Sequence, residues 1–571
     1  MLKRVILTAV MAVLVLSLAV SCGKKDGSVS ISTVEQGFAE VPDSVRIGCY
    51  YYWISNHISK QGVIEDLHAM KEAGITWAVI GNVTTDTMPL GPVNFMSDEW
   101  WDITHTAFKT AGELGIEMGQ FNSPGWSQSG GPWISEDQSM RYVAMQEDIV
   151  EGNGSVQSIK LPEVPVQRII SAYAFPAIEG RYEEFSRVDE GTIHIKLSSP
   201  MTVRSLLVSS VDNIEGWSWF TKGDEEIAKF YFDRSDNRSN VGWNPAAPQV
   251  LAIPETEGDE FDFRIETRDH GLIKVALSDI PYVEQYAEKS FAKMFQKCVP
   301  AWGHYMWKAP AERGGAKVEK DRMIDLKEFI SGDGKTIEWT APEGRWTVLT
   351  AYAKTTGQHN VPAVPEATGL EVDKMNKEHI RYHFDSYLGE ILRKIPAEDR
   401  KTFKVSVLDS YEMGGQNWTD DMAERFEETF GYDPLPYLPA LQGYIVNSEE
   451  ETERFLWDMR RLIADGVAFD YVKGLKEVCN ENGLITWLEC YGHWGFPSEF
   501  LTYGGQSDQV GGEFWAGSNP NFIGVECKDA SSCGHIYGKK QIWAESSTSP
   551  FSCRIYTTCV VSSVAVVPST R

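Results

Sequence analysis

Lys404-Val-Ser-Val-Leu-Asp-Ser-Tyr-Glu412 reads as a short buried strand, Val405 to Leu408, that runs straight into two carboxylates, Asp409 and Glu412. An unbroken apolar run is the pattern of a strand covered on both faces. In a parallel barrel the C-terminal mouth of such strands is where reactive groups meet solvent. Three later stretches repeat the design: Leu484-Ile-Thr-Trp-Leu ends at Glu489, Val510-Gly-Gly is followed by Glu513, and Gln541-Ile-Trp-Ala ends at Glu545. One acid after one strand is commonly a helix cap. Four strand-like runs with acids at their ends, separated by helical sequence, predict a shared site at a barrel mouth.

The sequence upstream has the same grammar. Val45 to Trp53 is a β-rich run. Val63, Leu67 and Met70 share one face of a helix over Ser59 to Ala73, which Gly74 stops, and Thr76 to Ile80 is a second strand. Ser97 caps a helix to about Leu114, and Ile116 to Phe121 is a third strand. This β-α-β-α-β order predicts an α/β fold of the (β/α)8 barrel type. The loop that follows, Asn122-Ser-Pro-Gly-Trp-Ser-Gln-Ser-Gly-Gly-Pro-Trp133, holds Trp126 and Trp133 on a backbone stiffened by Gly and Pro. It reads either as an aromatic wall for a sugar or as a rigid loop with its rings packed inward.

From 143 to 353 the pattern changes to short alternating runs, such as Thr192 to Leu197 and Val203 to Val208, separated by turns rich in Gly, Asp and Asn. This predicts an inserted β-sandwich-like domain, with one helix-like segment at Glu284 to Lys297. Barrel grammar returns with helices over Met375 to Arg393, Thr419 to Phe430 and Glu449 to Asn482, then Phe522 to Tyr537. Val560 to Val567 has strand composition but no helix follows, so an eighth unit is missing and the barrel reads as incomplete. The implied segments are a leader (1–22), a tether (23–44), a first barrel part (45–142), the insertion (143–353), a second barrel part (354–549) and an atypical tail (550–571).

Lys3 and Arg4 precede an apolar run, Val5 to Val20, that ends in Leu18-Ala-Val-Ser-Cys22. This is an export leader, and small residues before a Cys resemble a bacterial lipobox. Cys22 is therefore expected to carry lipid and to anchor the chain in the envelope of a Gram-negative bacterium, in the periplasm or at the cell surface. The other eight cysteines form no CxxC pair and imply no zinc site. Cys527 and Cys533 are spaced for a local disulfide in an oxidising compartment. The net charge of −28 over 571 residues repels phosphate backbones, which argues against nucleic acid. Membrane contact is expected only through the anchor, and no protein partner is implied. Abundant aromatics (19 Trp, 22 Tyr, 25 Phe) in an acidic chain suit a carbohydrate, whose C–H faces stack on rings.

Glycoside hydrolysis needs one carboxyl group to protonate the leaving oxygen and another to activate water or attack directly. A mouth lined by Asp409, Glu412, Glu489, Glu513 and Glu545 supplies such groups, and its crowded oxygens would also suit Ca2+. At these motifs the chain resembles the α-L-rhamnosidases of glycoside hydrolase family 106. The resemblance rests on Gly48 to Gly74, Asn122-Ser-Pro-Gly-Trp126 with Gly130-Gly-Pro-Trp133, Asp409-Ser-Tyr-Glu412, Leu488-Glu-Cys-Tyr-Gly492, Gly512-Glu-Phe-Trp515 and Ala544-Glu-Ser546. It implies a (β/α)8 barrel with β-sandwich insertions, inversion at the anomeric carbon, and a Ca2+ that contacts sugar hydroxyls. By resemblance, Glu412 is the general base and Glu545 the general acid. Glu513 and Glu489 are metal ligands, and Asp409, Glu489, Trp126, Trp133 and His493 line the sugar site. The family-like text stops near Ser549, which reads as a premature end or a change of reading frame near Phe551. Two alternatives stay open: a retaining barrel β-glycosidase, and a glycan-binding lipoprotein or decayed enzyme without turnover.

Overall fold

The computed structural model describes residues 31–39, 47–188, 191–233, 242–294, 310–491, 496–516, 525–548 and 563–568. The chain divides at Arg46 into a short N-terminal unit and a body from Ile47 onward. In the N-terminal unit Ile31–Ala39 is a nine-residue helix, at positions the sequence reads as tether. Cys22 lies outside the described residues, and no described helix is long and apolar enough to cross a membrane.

The body is organised on one sheet. Seven strands run parallel in the order β1 (Ile47–Ile54), β2 (Trp77–Val83), β3 (Glu117–Phe121), β4 (Phe403–Leu408), β5 (Ile485–Glu489), β6 (Gln509–Ala516) and β7 (Gln541–Thr548). The eighth place is taken by β8 (Ser563–Pro568), which pairs antiparallel with both β7 and β1 and closes the sheet. This corrects the expectation of an open barrel, and the closed sheet is mixed rather than a regular (β/α)8 barrel. An antiparallel return needs no crossover helix, which is why periodicity shows no eighth unit.

Strand alternation sorts the side chains into two cores. Cys49, Tyr51, Trp53, Ala78 and Ile80 face outward and pack with helix residues such as Val63, Leu67, Trp100 and Ala107. Tyr50, Trp77, Val79, Phe121, Val405, Val407, Trp487 and Trp543 form a separate cluster built of strand residues alone, the barrel interior. Trp77 and Trp543 meet there with ring centroids 4.7 Å apart. Gly48 makes room for this filling, since a Cβ on it would lie 2.2 Å from the Trp77 ring. A fully buried Trp removes about 150–250 Å² from water, or roughly 4–6 kcal/mol at ~25 cal/mol per Å². The floor of the mouth is thus solid and apolar, and carboxylates above it lie in a poorly solvating place.

The outer helices begin where the sequence places caps. The Ser59 hydroxyl accepts from Gly62 N at the start of Lys60–Glu72, and Ser97 accepts from Trp100 N at the start of Asp98–Leu114. Between Arg141 and Thr355 the chain forms antiparallel sheets. One has six strands and its own apolar cluster, including Ile195, Val203, Phe220 and Phe263. Its strands are longer than the sequence suggests: Thr192 to Leu197 and Val203 to Val208 are parts of a single strand, Gly191–Ser210. Irregular register against Gln249–Glu266 interrupts the alternation and makes one strand look like two. The helix-like segment at Glu284 shrinks to Tyr286–Lys289 among the described residues.

Two irregularities in the returning helices bear on the mouth. The expected helix over Met375 to Arg393 breaks at Tyr387 into Lys377–Ser386 and Leu388–Lys394. The break places the buried Tyr387 hydroxyl between the side-chain amides of Asn82 (3.0 Å) and Gln120 (2.8 Å). The long helical run from Glu449 contains a π turn, Val467–Val472, between Glu449–Gly466 and Lys473–Glu481. Such turns recur at functional sites because the extra residue re-aims a side chain. Here it presents Tyr471 to the loop after β3.

Candidate active site

Asp409 follows β4 directly and is buried. Its Oδ1 accepts a 2.8 Å hydrogen bond from the Tyr50 hydroxyl of β1. Its backbone carbonyl accepts a short hydrogen bond from the side-chain amide of Gln128. Gln128 stands at φ 99°, a conformation L residues rarely adopt, and is gripped through Oε1 by the hydroxyls of Tyr471 (2.6 Å) and Tyr503 (3.2 Å). Beneath it a fully buried Lys374–Glu371 ion pair at 2.5 Å holds both backbone polar groups of Ser129, one to each partner. The Gly-rich loop is thus a built support for the end of β4.

Glu412, three residues on, is half-buried, and its Oε2 accepts from the Trp126 indole N–H at 3.3 Å. Glu489 ends β5 and is 1% exposed; its Oε2 accepts from the Ser410 hydroxyl at 2.9 Å. Its Oε1 is buried without a hydrogen-bond partner among the described residues. Glu513 and Glu545 are both buried and stand side by side in register on β6 and β7. Asp409, Glu489 and Glu545 each bring an oxygen within 4.8 Å of the others, and so do Glu489, Glu513 and Glu526.

No lysine or arginine pairs with Asp409, Glu489 or Glu545 among the described residues. Burying a lone carboxylate costs several kcal/mol, so such groups hold protons or share a cation. Their pKa values follow. Burial first, then the charges of Asp409 and Glu513, raise Glu545 well above the usual carboxylate range, opposed by the nearby Tyr50 hydroxyl. Burial and the neighbouring acids raise Glu489. Burial raises Asp409 as well, again opposed by Tyr50. Glu526 is pushed up to about 8, chiefly by burial.

Five predicted acids therefore converge, together with Trp126. Trp133 does not join them. It stacks on Tyr387 with centroids 5.7 Å apart and donates to His383 Nδ1 at 3.1 Å, so its ring belongs to the outer core. His493 lies outside the described residues. The predicted Cys527–Cys533 pairing is also corrected, because Cys527 donates to the Gly512 carbonyl at 3.4 Å while Cys533 faces another thiol. Sequence reasoning missed Glu526, Tyr50 and Gln128. Glu526 begins the helix Val525–Ile536 rather than ending a strand, and an acid in a first turn reads as a response to the helix dipole.

A family model described as alpha-L-rhamnosidase matches residues 39–559. The chain is 30% identical over 518 residues to a curated protein of Formosa agariphila whose name, beta-glucuronidase, is itself provisional. That alignment covers 91% of this chain and 35% of the relative, so the chain spans about a third of that protein's length. Among solved structures, a rhamnosidase from Novosphingobium sp. PP1Y matches with a TM-score of 0.74 at 24% identity, over 91% of this chain and 54% of that one.

Proposed function

The chain belongs to the alpha-L-rhamnosidase family, glycoside hydrolase family 106, and on that premise we propose that it releases terminal α-L-rhamnose from glycans by inverting acid–base hydrolysis. The observation that carries the roles is the contrast between two acids in one mouth. Glu545 is buried among other carboxylates, which raise its pKa and favour the proton a general acid must carry. Glu412 is half-buried beside the Trp126 indole, open enough to take a proton from water. Glu412 would deprotonate the attacking water while Glu545 protonates the glycosidic oxygen. Asp409, fixed by Tyr50, and Trp126 would orient the sugar. Product stereochemistry tests the reading: proton NMR of the first-formed sugar should show the anomer opposite to the substrate's. A retained configuration would refute inversion. The relative's name favours one second reading, hydrolysis of a uronide, which parallel assays on aryl α-L-rhamnoside and aryl β-glucuronide separate.

Ca2+ fits the donor set of Glu489, Glu513 and Glu526. Calcium takes several oxygens at about 2.3–2.6 Å, which spans oxygens gathered within 4.8 Å, and Glu489 Oε1 has no other described partner. When bound it would offset the crowded charge and hold sugar hydroxyls. Attachment to the cell envelope through Cys22 is part of the same proposal.

A further inference from the structure

Cys490 follows Glu489 at the end of β5, and Cys533 lies on the helix Val525–Ile536 between β6 and β7. Both are buried and reduced. The two thiols are neighbours that perturb each other's ionisation, and each also reaches a backbone carbonyl of the next helix, Cys490 that of Phe500 at 4.0 Å and Cys533 that of Leu501 at 3.6 Å. Gly504 of the neighbouring helix Phe500–Gly505 passes over the pair, and a Cβ there would lie 2.8 Å from one sulfur and 2.9 Å from the other. The other described thiols have different neighbours: Cys49 meets Met70, Cys479 meets Ser406, and Cys527 meets the Gly512 carbonyl. Glu526 and Cys533 are seven residues apart on one helix, so they share a face two turns apart. A bond between Cys490 and Cys533 would therefore join the strand end that carries Glu489 to the helix face that carries Glu526. Those are two of the three acids gathered with Glu513.

We propose that Cys490 and Cys533 are a disulfide pair, closed when the chain enters an oxidising compartment, and that the bond positions Glu526 against Glu489. The proposal rests on the export leader and not on the hydrolase reading. The oxidant is a disulfide donor of the thiol–disulfide exchange class. Cys533, as thiolate, attacks one donor sulfur, and the donor's other sulfur leaves as a thiolate. Cys490, losing its proton, then attacks Cys533 Sγ and expels the remaining donor thiolate. One protein disulfide forms, the donor is reduced to two thiols, and two protons pass from the cysteines to it. The neighbouring Cys490 thiol, aided by the charge of Lys539, holds the Cys533 thiol below its ordinary value, which favours it as the first nucleophile.

The test is a thiol map of the full chain, made with its own leader in a Gram-negative host and harvested directly into iodoacetamide under denaturing conditions. Peptide mapping with chymotrypsin separates Cys479, Cys490 and Cys527. The expected result is a Cys490–Cys533 link that is lost on reduction, with Cys49, Cys479 and Cys527 alkylated. Alkylation of both Cys490 and Cys533, or a link from Cys533 to Cys527, overturns the proposal. As a second arm, dithiothreitol should lower the melting temperature of the parent and leave a C490S/C533S variant unmoved. Equal responses of the two proteins would also overturn it.

Discussion

The hydroxyl of Tyr50, on the first strand, donates to Asp409 Oδ1 at 2.8 Å, on the fourth, and lies close enough to Glu545 on the seventh to affect its ionisation. One phenol thus joins acids from opposite sides of the sheet, above a floor of Trp77, Trp487 and Trp543. Its own proton is firmly held, because burial first and then the nearby acids raise its pKa. It is a fixed donor to Asp409, a carboxyl whose burial otherwise favours protonation.

Tyr50→Phe removes that donor and keeps the ring, which packs edge-on against Phe121 at 5.1 Å. A hydrogen bond to a charged group contributes about 1.5–3 kcal/mol. The expected outcome is a fall in kcat/KM of roughly 10- to 100-fold on an aryl rhamnoside, with little change in melting temperature. Parent-level kcat/KM in a folded Y50F protein would remove Tyr50 from the account.

Gln128 positions the end of β4 through the Asp409 carbonyl. Gln128→Ala leaves that carbonyl and the Tyr471 hydroxyl without this partner and keeps an awkward φ. It should cost about 1–3 kcal/mol in a urea unfolding series, with kcat falling more than KM rises. Tyr471→Phe should be milder, because Tyr503 and Ser129 remain near the same groups. Equal and negligible effects on kcat would mean the loop only packs.

His383 gives a pH signature separable from catalysis. Its Nδ1 accepts from Trp133 and its Nε2 reaches the Asn122 carbonyl at 2.9 Å, an arrangement that needs the neutral ring. Burial first, then the Lys374 charge, lowers its pKa from 6.5 to about 3. Below pH 6.5 the unfolded chain therefore takes up a proton that the folded chain refuses. Stability from this residue is complete above 6.5 and is lost as pH falls toward 3, by about 1.4 kcal/mol per pH unit. Urea midpoints at pH 7.5 and 5.5 should differ more in the parent than in His383→Gln. An equal difference in both would show that His383 is not the titrating group.

The acids that hold the second cluster predict a calcium response. Added Ca2+ should raise the melting temperature of the chelator-treated chain and release protons, since Glu526 titrates near 8 without it. Glu526→Gln should weaken the response by 10-fold or more in midpoint concentration. A parent whose melting temperature ignores millimolar Ca2+ would contradict the metal assignment.

Much of the site is legible in sequence for one reason. Asp409, Glu489 and Glu545 stand at the ends of apolar strands, and strand direction carries them to a common mouth. The same logic fails where a partner comes from another kind of element. Tyr50 reads as one of three core tyrosines until Asp409 is seen opposite it, 359 residues away. Tyr471 reads as helix core because a π turn leaves no mark in periodicity. Trp133 illustrates the limit of composition: a ring beside Gly and Pro suits a sugar platform as well as a packed loop, and only His383 and Tyr387 decide between them. The eighth strand has a strand's composition at Val560 to Val567, but its place in the barrel is not legible, since its antiparallel pairing dispenses with the helix that announces the other units.

The assignment of Glu412 as base and Glu545 as acid is tested most directly by the substrate dependence of Glu412→Gln and Glu545→Gln. An aryl rhamnoside has a leaving group that needs little protonation, whereas a natural rhamnoside needs the acid fully. The account predicts that E545Q loses far more kcat/KM on the natural substrate than on the aryl one, and that E412Q loses heavily on both. Equal losses on the two substrates for E545Q, or near-parent turnover by E412Q, would contradict it.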